Sequence, residues 1–283
     1  MPTREIQSKD NVRLKELRRA FSLSRHHERD LVGIEGPKML EEALRTRLRV
    51  ATLFVAQGSE PLLETLRLPR ETEILRIPRR LLESALATET PQPIAALVEP
   101  PQWSWEEILG HDQEETLILV LAGLQDPGNL GTILRSAEAF GATGIVSLPG
   151  TVSAWNPKAV RASAGSVFRV PVVTASEKTC FDQLRDAGVR SLATTAHGAQ
   201  PADRVDLAGP VALLIGNEGN GIPDGLLAKV GGSITIPCPG PVESLNAAIA
   251  ASVMLYEVSR QRNTTTGAAA AHPTRHPARR SAR

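Results

Sequence analysis

Three glycine-rich stretches carry the residues whose chemistry packing alone does not explain. The first, QDPGNLGTILR (125–135), follows an apolar run and spaces Asn129 and Arg135 behind Gly128. Gly128 and Gly131 permit tight backbone turns, and the helix start that follows favours an anion. An ordinary strand-to-helix turn capped by Asn129 accounts for this loop equally well. The second, IGNEGNGI (215–222), sets three glycines around Asn217, Glu218 and Asn220. So many residues tolerant of positive φ, directly after an apolar run, suit a backbone wrapped closely around a ligand. Its G-x-x-G-x-G spacing after a late strand is a poor match to the dinucleotide fingerprint of an oxidoreductase, and no Walker-type loop occurs. The third, IPCPGPVESLNAAIAASV (236–253), is held extended by Pro237, Pro239 and Pro241. Ser244 there reads most simply as the N-cap of the next helix.

The elements that must position these loops alternate along the chain. Residues 1–30 read as a charged helical opening with Leu14, Leu17 and Phe21 at helical spacing. The stretch 31–44 reads as a short strand, a Gly-Pro turn and a helix; strands follow at 50–55, 73–77 and 93–98, with helices at 60–66 and 79–87. The prolines and tryptophans of 100–105 and the acidic run 111–115 then break the pattern as a linker. Beyond it, strands at 117–123, 144–150, 167–175, 191–196, 211–218 and 233–238 alternate with helices at 132–141, around Lys158 and Arg161, at 177–187 and at 244–260. Gly141 is placed to end its helix in the left-handed region. Apolar strands alternating with helices predict a mainly parallel sheet covered on both faces. The fold class is therefore α/β in two units: 1–100, a linker at 101–115, a second unit at 116–261, and a disordered basic tail at 262–283.

Composition narrows the chemistry. The 283 residues carry a formal net charge of +1. Attraction for nucleic acid must then be local. The first thirty residues hold eight Lys/Arg against five acids, and the last twenty-two hold five Arg and no acid. A solvated helix face and a loose tail explain these ends as well as a phosphate-binding patch does. Cys180 and Cys238 lie far apart with no Cys-x-x-Cys spacing, so neither a disulfide framework nor a zinc site is expected, and a reducing cytoplasm fits. His272 and His276 sit four apart in a proline-interrupted segment without an acid to complete a site; no metal is expected. No apolar run approaches the ~18 residues of a membrane span, and none forms a signal-peptide core.

Taken in order and spacing, the three stretches resemble the signature motifs of the SpoU/TrmH family of RNA ribose methyltransferases. NLGTILRSAEAFG (129–141), LLIGNEGNGI (213–222) and IPCPGPVESLNAAIAASVMLYE (236–257) carry the likeness, with NPKAVRASAGSVFRVPV (156–172) resembling its variable region. The likeness spans about 117–260. SKDNVRLKELRRA (8–20) and GIEGPKMLEEAL (33–44) resemble, more loosely, the small RNA-binding domain that many members carry. The resemblance implies a carboxyl-terminal trefoil-knot (SPOUT) methyltransferase domain behind an amino-terminal RNA substrate-binding domain. It also implies a homodimer through the carboxyl-terminal domain. It implies S-adenosyl-L-methionine as cofactor, bound by Thr195, Ala196, Gly216, Asn217, Gly221, Ile236 and Leu245. Asn129, Arg135, Glu218, Ser244 and Asn246 are carried over as the catalytic and substrate-positioning set.

The implied reaction is methylation of a ribose 2′-hydroxyl in RNA, with ribosomal RNA ahead of tRNA; a non-catalytic RNA-binding protein of the same fold is the other alternative. Lowering a guanidinium from its strongly basic range to a pKa of ~7 would cost roughly 7 kcal/mol. Arg135 is therefore expected to grip a phosphate rather than to act as the base. With aromatic residues at 3%, recognition is expected through shape and phosphate, using the basic opening with Lys158, Arg161 and Arg169.

Overall fold

The computed structural model describes residues 3–22, 30–86, 88–110, 112 and 115–265. The amino-terminal unit contains β1 (Thr3–Glu5), α1 (Val12–Ser22), β2 (Val32–Glu35), α2 (Pro37–Arg45), β3 (Val50–Ala56), β4 (Glu73–Ile77), α3 (Arg79–Glu83) and β5 (Ile94–Val98). Its strands form one mixed sheet in the order β1-β4-β3-β5-β2. The helix expected at 60–66 is a 3-10 helix over Glu60–Thr65, and α3 closes four residues short of its expected end. α1 buries Leu14, Leu17 and Phe21 on one face, as their spacing requires.

The stretch expected as a linker carries α4 (Trp105–Leu109), started by a reciprocal Ser104–Glu107 capping box. Fully buried Ile108 joins α4 to the core beneath the second sheet. That sheet comprises β6 (Leu117–Leu121), β7 (Gly144–Ser147), β8 (Val172–Thr174), β9 (Arg190–Thr194), β10 (Gln200–Pro201), β11 (Val211–Ile215) and β12 (Ser233–Thr235). Their order is β10-β12-β9-β11-β6-β7-β8, with every pairing parallel. The helices α5 (Pro127–Ala139), α6 (Pro157–Ala162), α7 (Glu177–Asp186), α8 (Asp224–Leu227) and α9 (Ala247–Thr265) complete the unit. β6 and β11 are buried along their whole length, as expected for central strands covered on two faces.

Four expectations need correction. The stretch 167–175 is not one strand: Ser166–Phe168 is a 3-10 turn, and only Val172–Thr174 joins the sheet. The left-handed Gly165 before it (φ 92°) and Pro171 within it, which has no N–H, prevent a continuous ladder. Asn129 does not cap α5; Asp126 does, its carboxylate accepting the Asn129 N–H at 2.8 Å, with Pro127 at the first helical position. Ser244 does not cap the last helix. Asn246 does, its Oδ1 accepting from Ala248 N at 2.9 Å and Ile249 N at 3.3 Å. Finally, α9 continues to Thr265, so Arg262 belongs to the helix rather than to a loose tail. Its guanidinium donates to the carbonyls of Glu115, Thr116, Ala208 and Gly209, pinning the helix end beside the starts of β6 and β11. Residues 266–283, including His272 and His276, lie outside the described residues. Gly141, at φ 73°, follows α5 in the left-handed region as its position predicts.

Candidate functional site

The strands expected to run to 123, 196, 218 and 238 all leave the sheet early, at Leu121, Thr194, Ile215 and Thr235. The residues released build loops at the carboxyl ends of the parallel strands, where open α/β sheets bind ligands. A cleft of about 380 Å³ opens there, lined by the ends of β9, β11 and β12, the segment 236–245 and the start of α9. Thr195, Ala196, Gly216, Asn217, Gly221, Ile236 and Leu245 all border it, as do Glu218 and Ser244. The volume lies within the ~300–1,000 Å³ typical of small-molecule sites.

One wall is backbone folded on itself. A Cβ on Gly216 would come within 2.5 Å of the Gly221 carbonyl carbon, so only glycine permits this closure. Asn217 and Gly221 exchange backbone hydrogen bonds at 2.9 Å across the loop. The Asn217 side chain accepts from the Gly219 and Asn220 amides and donates to the Gly123 carbonyl at 2.8 Å. It therefore fixes its own loop and ties it to the end of β6. On the opposite side, the Thr235 hydroxyl donates to the Ala196 carbonyl at 3.1 Å, holding the β9 loop against the end of β12.

The first glycine stretch meets the other two through side chains. Asn129 donates from Nδ2 to Glu218 Oε1 at 2.8 Å and accepts at Oδ1 from Asn246 Nδ2 at 3.0 Å. An amide–amide–carboxylate chain, with Asn129 at its centre, thus joins residues 89 and 117 positions from Asn129. Packing sets this alignment: the Ser136 and Ser252 hydroxyls meet at 2.7 Å between α5 and α9. On α5's other side, Gly131 lies against α6, where a Cβ would sit 2.4 Å from Ala162 Cβ and 2.6 Å from the Ala159 carbonyl oxygen.

Asn129, Arg135 and Asn246 do not border the cleft. Arg135 projects from α5, exposed, with no hydrogen-bond or ion-pair partner among the described residues. Of the three cations expected to meet phosphate, Arg161 stays exposed, while Lys158 pairs with Asp126 at 3.3 Å. Asp126 is held below the usual carboxylate range, first by the Asn129 N–H, with burial opposing it and Lys158 adding to it. Arg169 does not face solvent as a group open to RNA: it is bound by Glu42 and Glu138. The basic opening is largely paired too, Arg13 with Glu16 and Glu73 and Lys15 with Asp10, while Arg25 and Arg29 lie outside the described residues.

The cleft adds His197, Cys238, Glu243 and Met254, none of which the sequence marked as a site residue. His197 and Glu243 each lie within two residues of a predicted site position, and proximity of that kind was the one available signal. Among the described residues, no group of three or more His, Cys, Asp or Glu is placed to hold a metal ion. No helix among them is long and apolar enough to cross a membrane.

A parallel sheet with a glycine-walled cleft beyond its strand ends defines an α/β protein built to hold a nucleotide-like ligand. A model of the SpoU rRNA methylase family matches residues 116–256, and one of the MRM3-like substrate binding domain matches residues 11–96. The chain is 32% identical over 259 residues to a 23S rRNA (guanosine(2553)-2′-O)-methyltransferase of Bacillus subtilis (strain 168), covering 90% of this chain and 99% of that protein. An AdoMet-bound rRNA methyltransferase from Sinorhizobium meliloti superposes with a TM-score of 0.80 at 31% identity, over 91% of this chain and 98% of that one. The SpoU methyltransferase AviRb from Streptomyces viridochromogenes, in complex with the cofactor AdoMet, gives 0.76 at 28% identity, over 89% and 98%. The chain belongs to the SpoU rRNA methylase family.

Proposed function

We propose that this protein methylates a ribose 2′-hydroxyl in large-subunit ribosomal RNA, with S-adenosyl-L-methionine as methyl donor. The observation that carries the reading is the Asn246–Asn129–Glu218 chain. It draws all three glycine-rich segments to one end of the cleft that would hold the donor. The cleft fits that cofactor: Ile236, Leu245 and Met254 offer apolar surface for a purine, and the Gly216–Gly221 wall brings backbone groups within reach of its polar edges. Glu218 and Glu243 supply negative charge suited to a sulfonium and an ammonium. When bound, the cofactor supplies an electrophilic methyl group.

The residues of the chain do the positioning. Asn246 aligns Asn129, which in turn orients Glu218 at the cleft's edge. Arg135, without a partner among the described residues, grips the phosphate next to the target ribose and steadies charge developing on the attacking oxygen. Ser244, exposed beside the cleft and freed from capping, is available to the substrate. A trefoil knot belongs to the same reading. The strand order supports it: β12 lies between β9 and β10 in the sheet, although β9 and β10 are joined directly by 195–199.

The amino-terminal unit, 1–100, is the RNA substrate-binding part, an assignment supported by the matched domain model. The partner for a homodimer is a second copy placed against α9. Ile249, Val253 and Tyr256 line one exposed face there at 52%, 40% and 55% exposure, a helical stripe that solvent does not favour. Two free cysteines, one buried and one exposed, suit the cytoplasm.

The test is transfer of labelled methyl from S-adenosyl-L-methionine to an unmethylated 23S rRNA transcript, followed by mapping of the product. A single 2′-O-methyl nucleotide is expected, and Asn129→Ala should abolish it. Label on a base, or no transfer to any ribosomal or transfer RNA, refutes the reading.

A further inference from the structure

Arg135 and Glu138 stand three residues apart on α5, a spacing that makes side chains neighbours on one helix face. Elsewhere in this chain the same order and spacing closes an ion pair, Arg13 reaching Glu16 at 2.9 Å. The reversed order also closes, at 2.8 Å for Arg45–Glu42 and 2.7 Å for Arg260–Glu257. Arg135 nevertheless has no partner among the described residues.

The reason is that Glu138 is already taken. Arg169 holds both its oxygens, Nε on Oε1 and Nη2 on Oε2, the latter at 3.0 Å. A planar guanidinium matches a carboxylate in this two-pronged way. Its remaining nitrogen, Nη1, donates to Glu42 on α2 at 2.6 Å, and Glu42 also receives Arg45. Glu42 and Arg169 are partly buried, so salt screens their pairing less than an open surface pair, while Glu138 lies at the exposed edge of the bridge.

Backbone geometry aims Arg169 at both carboxylates. Ala164 and Gly165 take φ values of 50° and 92° in succession, reversing the chain after α6. A Cβ on Gly165 would lie 2.9 Å from Glu42 Cβ, so the reversal rests directly on the amino-terminal unit. The Arg169 hydrogen bond holds Glu138 below the usual carboxylate range, with burial opposing it and Ser166 and Arg45 adding to it.

We propose that Arg169 is a positioning residue: by holding Glu138 against Glu42 it prevents Arg135 from pairing along its own helix, and so leaves that guanidinium available to an RNA phosphate. The proposal rests on the phosphate-gripping role given to Arg135 above. It makes the availability of Arg135 depend on docking of the amino-terminal unit, because Glu42 belongs to that unit.

Three full-length variants test it: Arg169→Ala, Glu138→Gln, and the two combined. Arg169→Ala should raise KM for an unmethylated 23S rRNA transcript about tenfold, the scale expected when one charge-assisted hydrogen bond to the substrate no longer forms. Its affinity for S-adenosyl-L-methionine should be unchanged. The double variant should return KM to the level of Glu138→Gln alone, because a neutral amide lacks the charge to hold Arg135 against a phosphate. If Arg169→Ala acted only by loosening the two units, the defect would persist in the double variant. Failure of the second substitution to restore KM therefore overturns the proposal, as does an unaltered KM in Arg169→Ala. A crystal structure of Arg169→Ala gives a readout independent of activity: Arg135 should be found on Glu138, and an unpaired Arg135 overturns the proposal. If the wild-type protein methylates no RNA, the functional reading fails, while that structure still decides the pairing.

Discussion

Replacing Gly131 by alanine tests whether helix packing sets the catalytic geometry. Gly131 is buried where α5 crosses α6, and the added methyl would face Ala162 Cβ at 2.4 Å, the Ala159 carbonyl oxygen at 2.6 Å and the Ser163 amide nitrogen at 2.8 Å. Ordinary carbon–carbon separation is about 3.5–4.0 Å, so α5 must move away from α6 by about 1 Å. Two of the three obstacles are backbone, which no rotamer change relieves. Overpacking of this kind costs about 1–3 kcal/mol, while alanine returns about 0.5–1 kcal/mol in helix propensity. A net loss of roughly 1–2 kcal/mol should lower Tm by about 3–6 °C. The effect on activity should be larger, because α5 carries Asn129 and Arg135 while the cleft is built from other segments. A displacement near 1 Å at a reacting centre can cost ~100-fold. Cofactor affinity by calorimetry should therefore hold, while kcat/KM for the rRNA transcript falls about 100-fold. Wild-type turnover with an unchanged Tm would show that α5 and α6 have slack, and would refute the reasoning.

Arg262→Met removes the donor for four backbone carbonyls at the end of α9, between 2.6 and 3.1 Å away. With water reaching some of them, a loss of about 2–3 kcal/mol in denaturant unfolding is expected; no change would show that the helix end frays freely. Glu138 is held below its ordinary value near 4.5, chiefly by Arg169. Its stabilisation is thus full above that value and is lost as pH falls through the lower, folded one. Below pH 4.5 the wild-type unfolding free energy should fall more steeply than that of Glu138→Gln, and parallel slopes would contradict the pairing. Burial pushes the Cys180 thiol up to about 12, whereas Cys238 is exposed. A disulfide reagent should therefore titrate one thiol in the native protein and a second only in denaturant.

How much of this was legible varied with the range of the interaction. Strand and helix identities were readable where the period was long and uninterrupted, as in α1 or in β6 and β11. Capping was misread at both ends of the site. Ser244 and Asn129 are good capping residues by type, but Asp126 and Asn246 hold those positions once the neighbouring backbone is placed. The strand over 167–175 failed for a similar reason: apolar residues pack equally well from a 3-10 turn, and periodicity does not register a left-handed glycine pressed against another unit.

By itself the sequence determined the alternation of strands and helices, the three glycine-rich segments and the family likeness they carry, because these depend on residue type and short spacing. Only the tertiary structure decided that Asn129, Glu218 and Asn246 share one hydrogen-bonded chain, that Arg169 is spent on two carboxylates, and that Arg135 is left without a partner among the described residues. Those outcomes turn on which side chain reaches a shared partner first. Such competition is between residues from 3 to 127 positions apart, and it is settled by helix crossings and backbone turns rather than by any property of the residues alone.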